Sequence, residues 1–333
     1  MKTQALICDA QQAFSLQTVI LPDLAADQIM LKTSYSGVSI GTEFALIRNK
    51  ISWGPYPLVT GYMATGIVEQ VGSDVTDVKV GDKVFVRGNV PVKLEDGCIA
   101  SPVAGTHCSH IITTVGGTHG AGLLPDDAPM QEASMFVMPA VGYFGVDMAM
   151  PKLTDTVIVY GCGLIGQGVV AACSLRGCKV IAIDVQDRQL DFAKSMGADI
   201  TINAAKSDPL AQVQELTGVG GDVVFECTGI PKLVDTAMAF AKRDGKFVWQ
   251  GNYGEAPISF KFLVPHGKRL QTFFPCDDGY LPFRHAVIKH MTQGVLPWDK
   301  LITHRITADD APAMYDRINQ GDQDIVGVTI NWS

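Results

Sequence analysis

A chain of 333 residues is too long for one compact core, so two domains are expected. Hydrophobic residues at 47% against charged residues at 18% exclude extensive disorder, and a net charge of −8 with no Lys or Arg run argues against nucleic acid or an anionic membrane as partner. No apolar run approaches a membrane span, the start MKTQALICDA enters a strand without a signal-peptide stretch, and the eight cysteines are scattered among apolar segments, so a reduced, cytoplasmic setting is expected.

In chain order, short strands come first. QALICD, QIMLKTSYSGVS, TGIVEQVG, DKVFVRG and SHIITTV, separated by Gly, Asp and Pro, predict a β-rich domain from Lys2 to about Val115. From about Gln131 strands and helices alternate: VIVYG, a helix after the glycine turn, KVIAID, DRQLDFAKSMGA as helix, DITIN, DVVFECTG, PKLVDTAMAFAK as helix, and GKFVWQGN. This texture predicts an α/β unit with a parallel sheet covered on both faces. After Phe283 come a helix in FRHAVIKHMTQG, the stretch LITHRITADDAPAMYDRINQG, and a last strand VGVTIN, which needs a sheet to join.

The most telling stretch is residues 157–184, VIVYGCGLIGQGVVAACSLRGCKVIAID, in which a strand, a glycine turn, a helix and a second strand ending in an acid follow one another. That context turns GxGxxG into a dinucleotide-binding fingerprint. Gly161 permits the tight turn, Gly163 lets the backbone approach a pyrophosphate, and Gly166 lets the helix pack closely. Leu164 and Ile165, in the first helical turn, carry free N–H groups for the phosphates. Asp184 is placed to accept the ribose hydroxyls of NAD and to repel the 2′-phosphate of NADP. Thr228, Gly229 and Gly251 end strands at the carboxyl edge, where α/β sheets bind ligands, and Arg188 either flanks the adenine or faces solvent.

Taken in order, VGSDVTDVKVGDKVF, GCGLIG, FAKSMGAD, ECTG and LITHR make this sequence resemble the medium-chain dehydrogenase/reductases along nearly its whole length. The resemblance implies a GroES-like catalytic domain, residues 1–130 completed by the tail 284–333, and a Rossmann domain at residues 131–283. Within the superfamily, MKTQA, SGVSIGTE, YPLVTGY, GNYGEAPISFKF and the LITH and NW elements are similar to bacteriochlorophyllide hydroxyethyl dehydrogenases and their zinc-less relatives.

Zinc-dependent members of the family carry Cys and then Gly-His-Glu where this chain has Ser39 and Gly61-Tyr62-Met63. A hydroxyl, a phenol and a thioether do not make a zinc site. Cys98 and Cys108 lie too far apart for CxxC chelation, so no structural zinc is expected either. General acid–base groups are then the route for the hydroxyl proton. Tyr62 either hydrogen-bonds the reacting oxygen or lines the pocket. Glu43 either accepts the proton or satisfies loop N–H groups, while Ser39 and Thr42 extend a relay or bond their own backbone. His107 falls where relatives place a pocket residue and is a further acid–base candidate. His110 reads as strand packing, Glu69 as a glutamate that either backs the site or is structural, and His304 and Arg305 as stabilisers of the domain junction or cofactor.

The expected function is a zinc-independent, NAD-dependent alcohol dehydrogenase exchanging a secondary alcohol and a ketone, with a cyclic polyol, a sugar-like alcohol or another bulky alcohol as substrate. A quinone or enoyl reductase and a catalytically silent dinucleotide sensor are the alternatives. The resemblance implies a homodimer or homotetramer, with RLQTFF as a possible joining edge.

Overall fold

Period-two burial sets the first half of the chain. In β1 (Lys2–Cys8) and β2 (Phe14–Ile20) the strands pair antiparallel in register, Ala5 and Ile7 filling the interior. The computed structural model describes all residues except Ser52, Trp53 and Val103, and all side chains but theirs and that of Pro102. β3 (Gln28–Val38) leads through a tight turn into α1 (Thr42–Ile47), followed by β4 (Leu58–Val59), β5 (Ala64–Val71), β6 (Lys83–Val86), β7 (Val92–Leu94), β8 (Ile99–Pro102), β9 (His110–Thr114), β10 (Ala121–Leu123) and the short α2 (Met130–Ala133). Strands β1, β2, β7, β8 and β4 close a small barrel.

Alternation of strand and helix then takes over, as the sequence pattern requires. α3 (Val137–Ala149) precedes β11 (Thr156–Tyr160), α4 (Leu164–Leu175), β12 (Lys179–Asp184), α5 (Asp187–Ser195), β13 (Ile200–Asn203), α6 (Pro209–Thr217), β14 (Gly221–Glu226), α7 (Val234–Ala239), β15 (Ala241–Trp249), α8 (Leu263–Lys268) and β16 (Gln271–Phe273). These strands form one parallel sheet in the order β13-β12-β11-β14-β15-β16, the doubly wound arrangement of a dinucleotide-binding fold. Central β11 reads TVIVY and is buried from Val157 onward, because helices cover both of its faces.

The tail holds α9 (Tyr280–Thr292), β17 (Ile302–Thr307), α10 (Ala311–Asn319) and β18 (Gly327–Asn331). β18 finds its sheet beside β3, Val328 opposite Val38 and Asn331 opposite Tyr35, giving the order β10-β6-β5-β3-β18-β17 with β9 also on β3. The chain thus divides into a unit of Met1–Phe136 with Tyr280–Ser333 and a unit of Val137–Gly279. The first unit extends past residue 130 because α2 is tied to its sheet: the Thr65 hydroxyl donates to the Met130 carbonyl at 2.8 Å, and a Cβ on Gly37 would lie 2.7 Å from the Ser134 carbonyl. The structure therefore combines a GroES-like β domain with a Rossmann-type parallel sheet.

Candidate active site

In the Rossmann unit Gly161 and Gly166 stand where a side chain does not fit. Gly161 follows β11 with φ +95°, a conformation that a side chain resists, and a Cβ there would lie 2.9 Å from the Thr228 nitrogen. At Gly166 a Cβ would stand 2.1 Å from the Gly161 carbonyl, so helix and turn touch only because no side chain intervenes. Gly163 caps α4 without a side-chain hydrogen bond, and no acidic residue occupies the first turn. Gln167 N–H bonds Gly163 O at 2.8 Å, which leaves the N–H groups of Leu164, Ile165 and Gly166 without intrahelical acceptors. Such a terminus is an anion site.

Asp184 ends β12 and reaches back to that turn. Its Oδ2 accepts from Cys162 N–H at 2.7 Å and its Oδ1 from Gln186 N–H at 3.0 Å. The acid thereby holds the glycine loop, and each oxygen retains acceptor capacity for a ribose hydroxyl. Arg188 is exposed on α5 with its guanidinium 5.7 Å from the Phe192 ring.

One buried carboxylate was not singled out by sequence reasoning. Glu226, within ECTG, accepts from Thr228 N–H at 2.9 Å, from Gly229 N–H at 3.2 Å, and from the hydroxyls of Thr228 and Tyr253. It knits together the loops after β14 and β15, whose glycines meet so closely that a Cβ on Gly251 would lie 2.4 Å from Gly229 N. Burial and the Glu226 charge hold the Tyr253 phenol well above its usual range.

In the GroES-like unit, α1 turns Glu43 inward beside Phe44. Glu43 Oε1 accepts from the Tyr315 hydroxyl of α10, and Oε2 accepts from Ser39 N–H at 3.3 Å. His107 Nε2 stands 3.4 Å from Glu43 Oε1, a loose approach rather than a formed hydrogen bond, while its Nδ1 lies 2.7 Å from Ser36 Oγ. Ser36 Oγ accepts from Trp332 Nε1 at 2.8 Å. The His107 ring also meets Tyr315 edge-on at 5.8 Å. Gly61 makes room for it: a Cβ there would lie 2.6 Å from the imidazole, and its φ of +85° suits glycine alone.

Tyr62 completes the group. Its phenol is pushed up to about 12 by burial, with the Glu43 charge adding to the rise, while Ser39 and Thr42 hydrogen bonding and the positive charge of Arg87 act against it. Arg87 sits 5.5 Å from the Tyr62 ring centre. Buried Ser39, Glu43, Tyr62 and His107 and half-buried Thr42 therefore gather in one polar cluster, which Tyr315, Ser36 and Trp332 extend.

Other expectations fall elsewhere. Glu69, expected either behind the site or as a structural glutamate, lies on the outward parity of β5 with exposed Ile67, opposite in sense to buried Val68, and faces His110 at 3.4 Å. His110 also pairs with Thr3 Oγ1 at 3.0 Å. Arg305, expected at the domain junction or cofactor, instead spans its own unit, bonding Gln131, the Ile302 carbonyl and the Asp299 carbonyl. Among the described residues no group of three His, Cys, Asp or Glu side chains is arranged to hold a metal, and Ser39, Tyr62 and Met63 offer zinc a hydroxyl, a high-pKa phenol and a thioether. That donor set does not fit zinc.

Two family models match in tandem: the alcohol dehydrogenase GroES-like domain over residues 25–140 and the zinc-binding dehydrogenase domain over residues 165–291. The chain is 27% identical over 285 residues to a D-xylulose reductase A of Aspergillus niger, with 80% of this chain and 78% of the relative covered. It is 24% identical to the erythritol/L-threitol dehydrogenase of Mycolicibacterium smegmatis, covering 97% and 96%. The crystal structure of benzyl alcohol dehydrogenase from Acinetobacter calcoaceticus shares the fold, with a TM-score of 0.87 at 18% identity over 99% of both chains. With both domain models matched in order along most of its length, the chain belongs to the medium-chain dehydrogenase/reductase superfamily and is an NAD(P)-dependent oxidoreductase of the alcohol dehydrogenase type.

Proposed function

We infer that this protein is a zinc-independent, NAD-preferring alcohol dehydrogenase that exchanges a secondary alcohol and a ketone. The observation that carries this reading is the cluster of buried Ser39, Glu43 and Tyr62 with half-buried Thr42, beside Arg87. It brings hydroxyl, phenol, carboxylate and guanidinium chemistry to and around Ser39 and Tyr62, which stand where zinc-dependent members carry ligands. Gly161, Gly163, Gly166 and the N–H groups of Leu164 and Ile165 would hold the pyrophosphate, and Asp184 the adenosine ribose. Bound NAD supplies the acceptor for the hydride of the substrate carbon.

The chain's own residues then deal with the proton. Tyr62 hydrogen-bonds the substrate oxygen, and its hydroxyl passes a proton by way of Ser39 or Thr42 towards Glu43. In the reduction direction the phenol is the donor: burial keeps it protonated, and Arg87 and the two hydroxyls act against that rise. The relatives named for D-xylulose and for erythritol or L-threitol favour a polyol or sugar-like substrate. The likeness to bacteriochlorophyllide hydroxyethyl dehydrogenases extends the range to a hydroxyethyl group on a bulky ring. A subunit contact through the edge strand β16 is part of the same reading.

The test is elemental analysis of purified protein beside NADH- and NADPH-linked assays over a panel of polyols, secondary alcohols and enones. Turnover of alcohols with NAD, undiminished by chelators and without stoichiometric zinc, is the expected result. One tightly bound zinc per chain, or turnover confined to enones, would overturn the reading.

A further inference from the structure

The proton position on His107 follows from the hydrogen-bond inventory around Ser36. Trp332 Nε1–H is a donor only and occupies one lone pair of Ser36 Oγ at 2.8 Å. His107 Nδ1 lies 2.7 Å from the same oxygen. Were Nδ1 protonated, Ser36 would accept twice and its own hydroxyl proton would need another acceptor. Among the described residues none is within hydrogen-bond reach of that oxygen besides His107. The Ser36 hydroxyl therefore donates to Nδ1, and neutral His107 carries its proton on Nε2, which faces Glu43 Oε1 at 3.4 Å.

Around Glu43 the same bookkeeping gives one answer. The Tyr315 hydroxyl and Ser39 N–H donate to one carboxylate, His107 Nε2 approaches it at 3.4 Å, and all these side chains are buried. For His107 to gain a second proton at Nδ1, the Ser36 hydroxyl, which accepts from Trp332, would have to turn away from a ring that packs against Gly61. We propose that Ser36, held by Trp332, is a positioning residue that locks His107 as the Nε2–H tautomer, so that Glu43 and not His107 receives the proton. The last clause rests on the acid–base reading given above, whereas the tautomer does not.

The tautomer can be read without turnover. In the 15N-labelled full chain, two-bond proton–nitrogen correlation of the seven histidine rings separates pyridine-type from pyrrole-type nitrogens. His107 is assigned by the ring set lost in His107→Gln, or, if that variant does not fold, by through-bond correlation of the ring to its assigned backbone. The expected wild-type pattern is a pyridine-type Nδ1 and a pyrrole-type Nε2 near neutral pH, with Nδ1 moving towards the pyrrole type in Ser36→Ala and in Trp332→Phe. A pyrrole-type Nδ1 in the wild type, two protonated nitrogens, or a His107 pattern unmoved by Ser36→Ala would overturn the lock. Unimpaired turnover of Glu43→Gln would overturn the acid–base reading while the tautomer stood.

Discussion

Tyr315→Phe isolates a single hydroxyl in the most heavily used part of the catalytic unit. The ring stays, and with it the contacts at 5.2 Å to Phe14, 5.2 Å to Phe44 and 5.8 Å to His107. What goes is the donor to Glu43 Oε1, a carboxylate whose residue is 1% exposed and which no water can reach to compensate. A hydrogen bond to a charged group contributes about 1.5–3 kcal/mol, and an unsatisfied buried acceptor costs about as much. For a unit of this size that corresponds to a fall of roughly 3–12 °C in Tm. Tyr56→Phe is the control, since it removes a hydroxyl that donates to the neutral Ile47 carbonyl at 2.8 Å and should cost about 0.5–1.5 kcal/mol. Thermal melts of both variants, with Tyr315→Phe repeated in a Glu43→Gln background, make the cycle. The two changes should be less than additive by about 1 kcal/mol, as expected for groups in direct contact. A Tyr315→Phe protein no less stable than Tyr56→Phe, or strict additivity with Glu43→Gln, would refute the reasoning.

Further outcomes follow from the same geometry. Asp184→Ala should narrow or reverse the preference for NADH over NADPH. A unit charge pair about 5 Å apart at an effective dielectric near 20 amounts to about 3 kcal/mol, or roughly a hundredfold in relative affinity, and competitive binding of the two cofactors by fluorescence titration reads it. Glu43→Gln and Tyr62→Phe should each lower turnover by about 10²-fold while leaving NADH affinity near wild type, because both lie outside the unit that carries the glycine turn. Steady-state rates beside the same titration test both halves. Gly166→Ala should destabilise the nucleotide unit by about 1–3 kcal/mol and weaken NADH binding, since its Cβ would stand 2.1 Å from the Gly161 carbonyl and α4 would have to shift; unchanged denaturation and affinity would count against that packing.

Local features of this chain were readable because local physics decides them. The apolar run Val157–Tyr160, the glycines at 161, 163 and 166 and the acid at 184 specify strand, turn, helix and strand without help from distant residues, and the sheet order followed. Ser39, Thr42, Glu43 and Tyr62 were reached by another route, the likeness to zinc-dependent relatives whose ligand positions they occupy or flank. Tyr315, Ser36 and Trp332 were not, because their meaning comes only from pairing across long stretches of chain. Tyr315 meets Glu43 from 272 positions away, and Trp332 meets Ser36 from 296. Glu226 lay inside a quoted motif, yet its four donors include a tyrosine 27 residues on that no spacing rule points to. For Glu69, sequence likeness left open a place behind the site or a structural role, and strand parity turns the side chain outward to face His110.

The seating of β18 between β3 and β17 bears on how the protein is made. Chains emerge from the ribosome N-terminus first, and domains generally fold as units in that order. Here every strand of the nucleotide sheet, residues 156–273, is synthesised before the partner of Tyr35–Val38 exists. The nucleotide unit can therefore fold on the ribosome while this part of β3 still presents unpaired backbone groups, the kind of edge that recruits other chains. The catalytic unit is finished last although it begins first. A nascent chain stalled before Gly327 would hold every strand of the cofactor fold while this edge of β3 stayed open to pairing with other chains.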